Sequence, residues 1–340
     1  MSTQLPRTLG TLVLVLLTLL SALTLDTILL GVRAALPALP DVAQNFVTVF
    51  LGIFIEAAPF LLLGSLASGL IGEFVSADDI ARVFPKHRVP SALSGAVMGL
   101  AFPVCECGVV PVVRRLYRKG LPTAAGIAFL LAGPVINPIV LASTYAAFGL
   151  GAVFWSRVAL TVVISAGIGL IISAQASLTR LLLPRTVMPI AGGTGDLFKV
   201  ERALTDRVLA ALLSAADDFF DMGRFLVLGS LLAAGLQTFV PQQALLNIGR
   251  DPLSSVIALQ ALAFVLSVCS TVDSFLALSF VNTFTTGAIV AFLVFGPMID
   301  LKSSLMFWNV FRPRVVIYML LLAFLSVLFV GVFINLNLPW

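Results

Sequence analysis

Phe102-Pro103-Val104-Cys105-Glu106-Cys107-Gly108-Val109-Val110-Pro111 sets two prolines, a glycine, a carboxylate and two of the chain's three cysteines into one apolar run. Prolines delete backbone donors and glycine weakens a helix, so the middle of this stretch cannot run as an ordinary helix. A charge in hydrocarbon is costly unless it faces protein or water. The stretch therefore predicts a broken segment at membrane depth, with Pro103, Gly108 and Pro111 as breakers, kept because something binds there.

The whole chain supports that depth. Of 340 residues, 60% are hydrophobic and 11% charged, with a mean hydropathy of +1.11. Soluble domains carry about 25% charge. Apolar runs of about 20 residues or more are too long for barrel strands, so the class is a helical integral membrane protein. The net charge of +4 falls in loops and reads as topology, not as a nucleic-acid footprint. Three cysteines outside any long extramembrane domain argue against a disulfide framework. His87 is the single histidine, which excludes a His-rich zinc site, and no G-x-x-x-x-G-K-[ST] stretch offers ATP binding. No metal, cofactor or catalytic residue is expected.

Taken in order, residues 1–40 hold a first transmembrane helix, whose apolar run at 9–31 is too long for a signal peptide. Residues 41–183 form a first repeat, 184–207 a polar linker and 208–340 a second repeat. Phe60–Val75 reads FLLLGSLASGLIGEFV, and Phe225–Val240 reads FLVLGSLLAAGLQTFV, identical at eight of sixteen positions. At an offset of 164, Val104-Cys105 falls on Val268-Cys269, and at 163 AFLLAGPVIN falls on AFLVFGPMID. The order is preserved and the offset drifts by two, so the unit is duplicated. Gly133, Pro134 and Pro138, and Gly296 with Pro297 in the second copy, predict helices broken at mid-membrane.

Basic residues give the orientation. If every apolar run crosses, they divide ten to nine between the faces. If Pro90–Val113 and Leu253–Phe280 are re-entrant hairpins, sixteen positives lie inside with the N-terminus and only Arg33, Arg157 and Arg250 outside. The predicted architecture is all-α, with two inverted repeats. Each has about three transmembrane helices plus a re-entrant hairpin, and an extra helix precedes them. In such transporters the site lies between repeats, at discontinuous helices.

That places Cys105, Glu106 and Cys107 at one hairpin tip and Cys269, Ser270 and Asp273 at the other, with Asn137 and Asp300 beside the helix breaks. Cysteines two apart on a helix point about 200° apart, so they converge only at a turn. Thiolates favour soft species such as trivalent arsenic, copper(I) or zinc, although free cysteine also packs as a small hydrophobe. Glu56, Glu106, Asp221 and Asp273 are candidates for carrying a proton. Glu56 and Asp221 are repeat mates whose alternative is structural pairing with Arg224 or a backbone amide. Lys302 reads as a cytoplasmic-end anchor, and Arg114 to Lys119 as a cluster meeting anionic headgroups.

FPVCECGVVPVVRRLYRKGLPTAAGIAFLLAGPVINPIVL, together with SVCSTVDSFLALSF and GAIVAFLVFGPMIDLK, resembles the predicted-permease family that includes bacterial organoarsenical efflux permeases, from about Glu56 to Tyr318. The resemblance implies a multi-pass permease of the bacterial inner membrane, with the N-terminus cytoplasmic. Some members export trivalent organoarsenicals. The family's turn usually reads P-x-C-S-C-G, matched here by Pro103, Cys105, Cys107 and Gly108, with Glu106 in place of serine. Thr271 and Val272 stand where the family tends to have a Glu-Ala pair. The expected partners are a small-molecule or metalloid substrate and the lipid bilayer. Another soft or sulfur-containing solute is the alternative. An intramembrane thiol oxidoreductase is disfavoured because redox pairs are usually spaced C-x-x-C.

Overall fold

The computed structural model describes residues 41–85, 87–102, 104–175, 181–183, 204–239 and 251–337. The expected N-terminal helix, nearly all of the linker and Pro103 lie outside the described residues. Two compact units meet between Thr48 and Val49, and the first is described only over residues 41–48, the opening turns of a helix. The second unit holds everything that follows.

Among the described residues the chain forms thirteen helices: α1 (Asp41–Phe74), α2 (Ala77–Val83), α3 (Arg88–Met98), α4 (Glu106–Arg118), α5 (Thr123–Ile136), α6 (Pro138–Phe148), α7 (Ala152–Gln175), α8 (Leu204–Phe239), α9 (Pro252–Leu266), α10 (Asp273–Leu278), α11 (Thr286–Met298), α12 (Leu301–Val310) and α13 (Pro313–Asn337). The other described pairing is an isolated antiparallel bridge, Leu182 to Phe311.

Six spans are long and apolar enough to cross a membrane: α1, α5 with α6, α7, α8, α11 with α12, and α13. The two composite spans are the buried ones, 83% and 89% enclosed by protein against 11–44% for the other four. Interrupted backbone at membrane depth is tolerated where protein covers it. Helices α5 and α11 are apolar on every side and pack on each other at the centre.

The remaining pieces are short. Helices α3 and α4, of 11 and 13 residues, are about 17 and 20 Å long, less than the roughly 30 Å of a bilayer core. Helices α9 and α10 are shorter than a crossing as well. Neighbours recur between the halves: α3 packs on α5 and α7 as α9 packs on α11 and α13. The halves also exchange partners, α4 against α12 and α10 against α6.

The expected break points need correction. Gly133 and Pro134 lie inside α5, and Gly296 and Pro297 inside α11. Gly108 and Pro111 likewise sit within α4. A proline interrupts most strongly at the residue before it, which it drives to extended backbone. Asn137 obeys that rule ahead of Pro138, with φ −69° and ψ 159°. Its side chain then accepts from the Val140 amide at 2.9 Å and caps α6, with Pro138 at the first helical position. In the second copy Asp300 does the same without a proline. Its Oδ1 accepts from the Ser303 amide at 2.6 Å, and Ser303 Oγ accepts from the Asp300 amide. The break in each half is a cap of about 1 kcal/mol, one residue after the end of α5 and two residues after the end of α11, the helices that hold the Gly-Pro pairs.

Candidate functional site

Cys105 is the N-cap of α4, with extended backbone (φ −85°, ψ 179°), so Glu106 opens the helix at its positive end, where a carboxylate is favoured. Pro111 has no N–H for the Cys107 carbonyl one turn earlier. The first turn of α4 therefore keeps polar backbone available beside both thiols. On the other side Ser267 ends α9 in the left-handed region (φ 47°, ψ 42°). A non-glycine residue there stores about 1–2 kcal/mol, and the turn carries the chain directly into Val268 and Cys269.

These turns meet. Glu106, 1% exposed, accepts from Lys302 Nζ at 3.3 Å, and Asp300 Oδ2 lies 3.6 Å from the same nitrogen. Cys269 is within electrostatic reach of Glu106, Cys105 and Lys302, and Cys105 and Cys107 are within reach of each other. Glu56 on α1 faces the Cys269 thiol and Lys302. All three cysteines are buried and unbridged. Glu106 Oε2, Asp300 Oδ2 and Ser270 Oγ are buried without a hydrogen-bond partner among the described residues. Among the described residues no three His, Cys, Asp or Glu side chains form a preassembled metal site.

Lys302 corrects an expectation: it is 1% exposed and sits in the first turn of α12, not at a membrane surface. A cation there opposes the helix dipole, so Glu106 and Asp300 are what hold it. Its signal in the sequence was its place two residues beyond Asp300, inside the buried span.

Asp273 belongs to a second cluster. Arg157 Nη2 donates to its Oδ2 at 2.6 Å, and Nη1 to its Oδ1 at 3.1 Å. Nη1 also donates to Thr144 Oγ1 on α6 and Ser274 Oγ on α10, each at 2.9 Å. Arg157 was expected as an outside charge, yet it is fully buried. It lies five residues into an apolar helix and its partner is 116 residues away, so no local spacing announces the pair.

Asn137 lies near the first cluster through its side-chain nitrogen, which donates to the Val104 carbonyl at 3.0 Å. Asp221 stands apart from Glu56. It accepts from Arg114 at 2.6 Å, from Arg224 and from Asn309, as a structural ion-pair hub. Arg115 donates to Asp218 at 3.0 Å, and Ser68 Oγ donates to the same carboxylate oxygen at 2.7 Å. Lys119 donates to the carbonyls of Gly72 and Val75, at and just past the C-terminus of α1. Arg114, Arg115 and Lys119 therefore tie α4 to α8 and α1 rather than meeting headgroups.

A multi-pass helical membrane protein with thiols, carboxylates and an ammonium gathered where interrupted helices meet has the build of a solute carrier. The chain belongs to the predicted-permease family, whose pattern it matches over residues 42–336. It is 44% identical to the UPF0718 protein YcgR of Bacillus subtilis over 270 residues, which cover 79% of this chain and 90% of that one. It is 36% identical over 287 residues, 82% of this chain and 91% of the relative, to a Streptococcus mutans protein named as a candidate subunit of a two-component membrane permease complex. A 114-residue stretch is 33% identical to the UPF0718 protein MJ0584 of Methanocaldococcus jannaschii, covering 32% of this chain and 30% of that one. No solved structure matches the chain.

Proposed function

We propose that this permease is a secondary transporter for a small soft solute, bound where Cys105, Cys107 and Cys269 converge on Lys302. The observation that supports the reading is that the buried thiols of Cys107 and Cys269, from two distant turns, both lie within electrostatic reach of Cys105 and of the Glu106–Lys302 ion pair. Thiols select soft acceptors. By family likeness a trivalent organoarsenical leaving the cell is the first candidate, and a sulfur-containing solute the second. The streptococcal relative's name supports a second protein subunit as partner.

Alternating access would come from inverted halves rocking about the site, with α3–α4 and α9–α10 as re-entrant hairpins. The exchanged pairings of α4 with α12 and α10 with α6 support this. The arrangement puts Arg118 and the glycines at 192–193 on the cytoplasmic face with the N-terminus. Single-cysteine labelling that finds them on opposite faces would overturn the inversion.

Flux into proteoliposomes tests the function with arsenite, a methylated trivalent arsenical and thiosulfate. Cys105→Ser and Cys107→Ser should each lower the rate for the transported soft species by at least about tenfold, the size of a lost ligand contact of 1.4 kcal/mol. Rates that stay at wild-type level in the double variant would remove the thiols from the site.

A further inference from the structure

Around the thiols two carboxylates, Glu106 and Asp300, share one ammonium, that of Lys302, and a third, Glu56, lies within its electrostatic reach. The two ion pairs of the core differ in kind. Arg157 holds Asp273 with a two-pronged fork, its shorter arm at 2.6 Å, whereas Lys302 stands 3.3 and 3.6 Å from its two carboxylates. Charge-assisted N–H···O bonds normally close to about 2.7–2.9 Å. Lys302 is thus loosely seated between two anions, at a helix end that repels it, on a flexible stem that can withdraw. Among the described residues Glu106 Oε2 and Asp300 Oδ2 have no hydrogen bond, although both residues are 1% exposed. Buried oxygens of this kind are rare in native cores, and a bound ion is one of the few explanations for them.

From this geometry we infer that the permease's cargo is a soft cation, and that the Lys302 ammonium is a tethered counter-ion which the cargo displaces. The inference rests on reading this cluster as the transport site, and it narrows the solute class by charge. An oxyanion entering here would meet three carboxylates and one ammonium. A soft divalent cation would take the carboxylate oxygens vacated by Lys302 together with the cysteine sulfurs. The thiol protons would pass to bulk water as sulfur binds.

Cd²⁺ serves as the probe, on the full-length wild-type protein in nanodiscs. The readouts are sulfur-to-cadmium charge-transfer absorption and proton release into weakly buffered medium. Saturable binding with proton release is expected, weakened about 10–100-fold by Glu106→Gln, in the range seen when groups around a metal are changed. Lys302→Arg keeps the charge but sets a guanidinium fork between the carboxylates, so it should weaken Cd²⁺ binding as well. Lys302→Met removes the competitor and should tighten it. Should Lys302→Met fail to fold, the Arg variant still decides. Binding to Lys302→Arg as tight as to wild type, or equal binding to a triple Cys→Ser variant, overturns the inference. Phenylarsine oxide, a neutral arsenical, separates the two levels. If it binds through the cysteines and Cd²⁺ does not, the cation inference falls and the soft-solute permease stands. If neither binds, both fall.

Discussion

Replacing Arg157 with methionine is expected to destabilise the protein by about 3–5 kcal/mol, the range for removing one partner of a buried ion pair. The substitution removes both guanidinium arms from the buried Asp273 carboxylate and leaves it the Ser274 hydroxyl as its side-chain donor among the described residues. Water cannot replace the lost donors, because Arg157 is fully buried and Asp273 is 2% exposed. Thermal melting in detergent should show the loss directly, as a lower midpoint and a smaller folded fraction on size exclusion. The double variant Arg157→Met/Asp273→Leu should recover much of it. A well-packed apolar replacement of a buried ion pair is often neutral or stabilising by about 1–4 kcal/mol. The cycle of single and double variants isolates the coupling between α7 and α10. If the Arg157 variant melts within about 0.5 kcal/mol of wild type, the size of an ordinary surface change, then the bridge does not hold the halves together.

That pair also marks how far the sequence could be read. The helical membrane class, the six long apolar spans among the described residues and the turns bearing Cys105 and Cys269 were legible, because apolar run length and Pro/Gly punctuation are local signals. Asn137 and Asp300 were legible as special positions. Their role was not, since the eye rests on the Gly-Pro pairs, while the chain turns where an extended residue can cap the next helix. Lys302 and Arg157 were misread for one shared reason. A lone cation near the end of an apolar run looks the same in sequence whether it reaches for water or for a buried carboxylate. The partners, Glu106 and Asp273, lie 196 and 116 residues away. The basic residues at the end of α4 failed similarly, because Asp218 and Asp221 are on α8, about 100 residues further along the chain. Repeat symmetry did not help either. Glu56 and Asp221 are mates in sequence, but one faces a thiol and the other an arginine cluster.

Alanine at Gly64 should be among the most damaging small substitutions in the chain. A Cβ there would lie 2.3 Å from Gly108 Cα and 2.6 Å from Gly108 O, both backbone atoms with no side chain to give way. Its repeat mate Gly229 makes the milder version, with a Cβ 2.9 Å from Lys302 Cα. Each long outer helix thus presses glycine onto the backbone of an element that carries the site: Gly108 lies two residues after Glu106, and Lys302 is the ammonium itself. Close approach of this kind is what small residues allow between membrane helices. Gly64→Ala must push α1 from α4, at the 1–3 kcal/mol or so typical of overpacking, and displace Glu106 with the backbone that bears it. The expected result is a lowered melting midpoint together with a Cd²⁺ affinity weakened beyond that of Gly229→Ala. Gly167 supplies the control, since nothing lies within 4 Å of a Cβ there. Gly167→Ala should raise stability by about 0.5–1 kcal/mol through helix propensity alone. Because the two substitutions add the same methyl group to a helix in the same membrane, their difference reads the contact and nothing else. If Gly64→Ala behaves like Gly167→Ala, then α1 does not seat on the turn that carries the thiols.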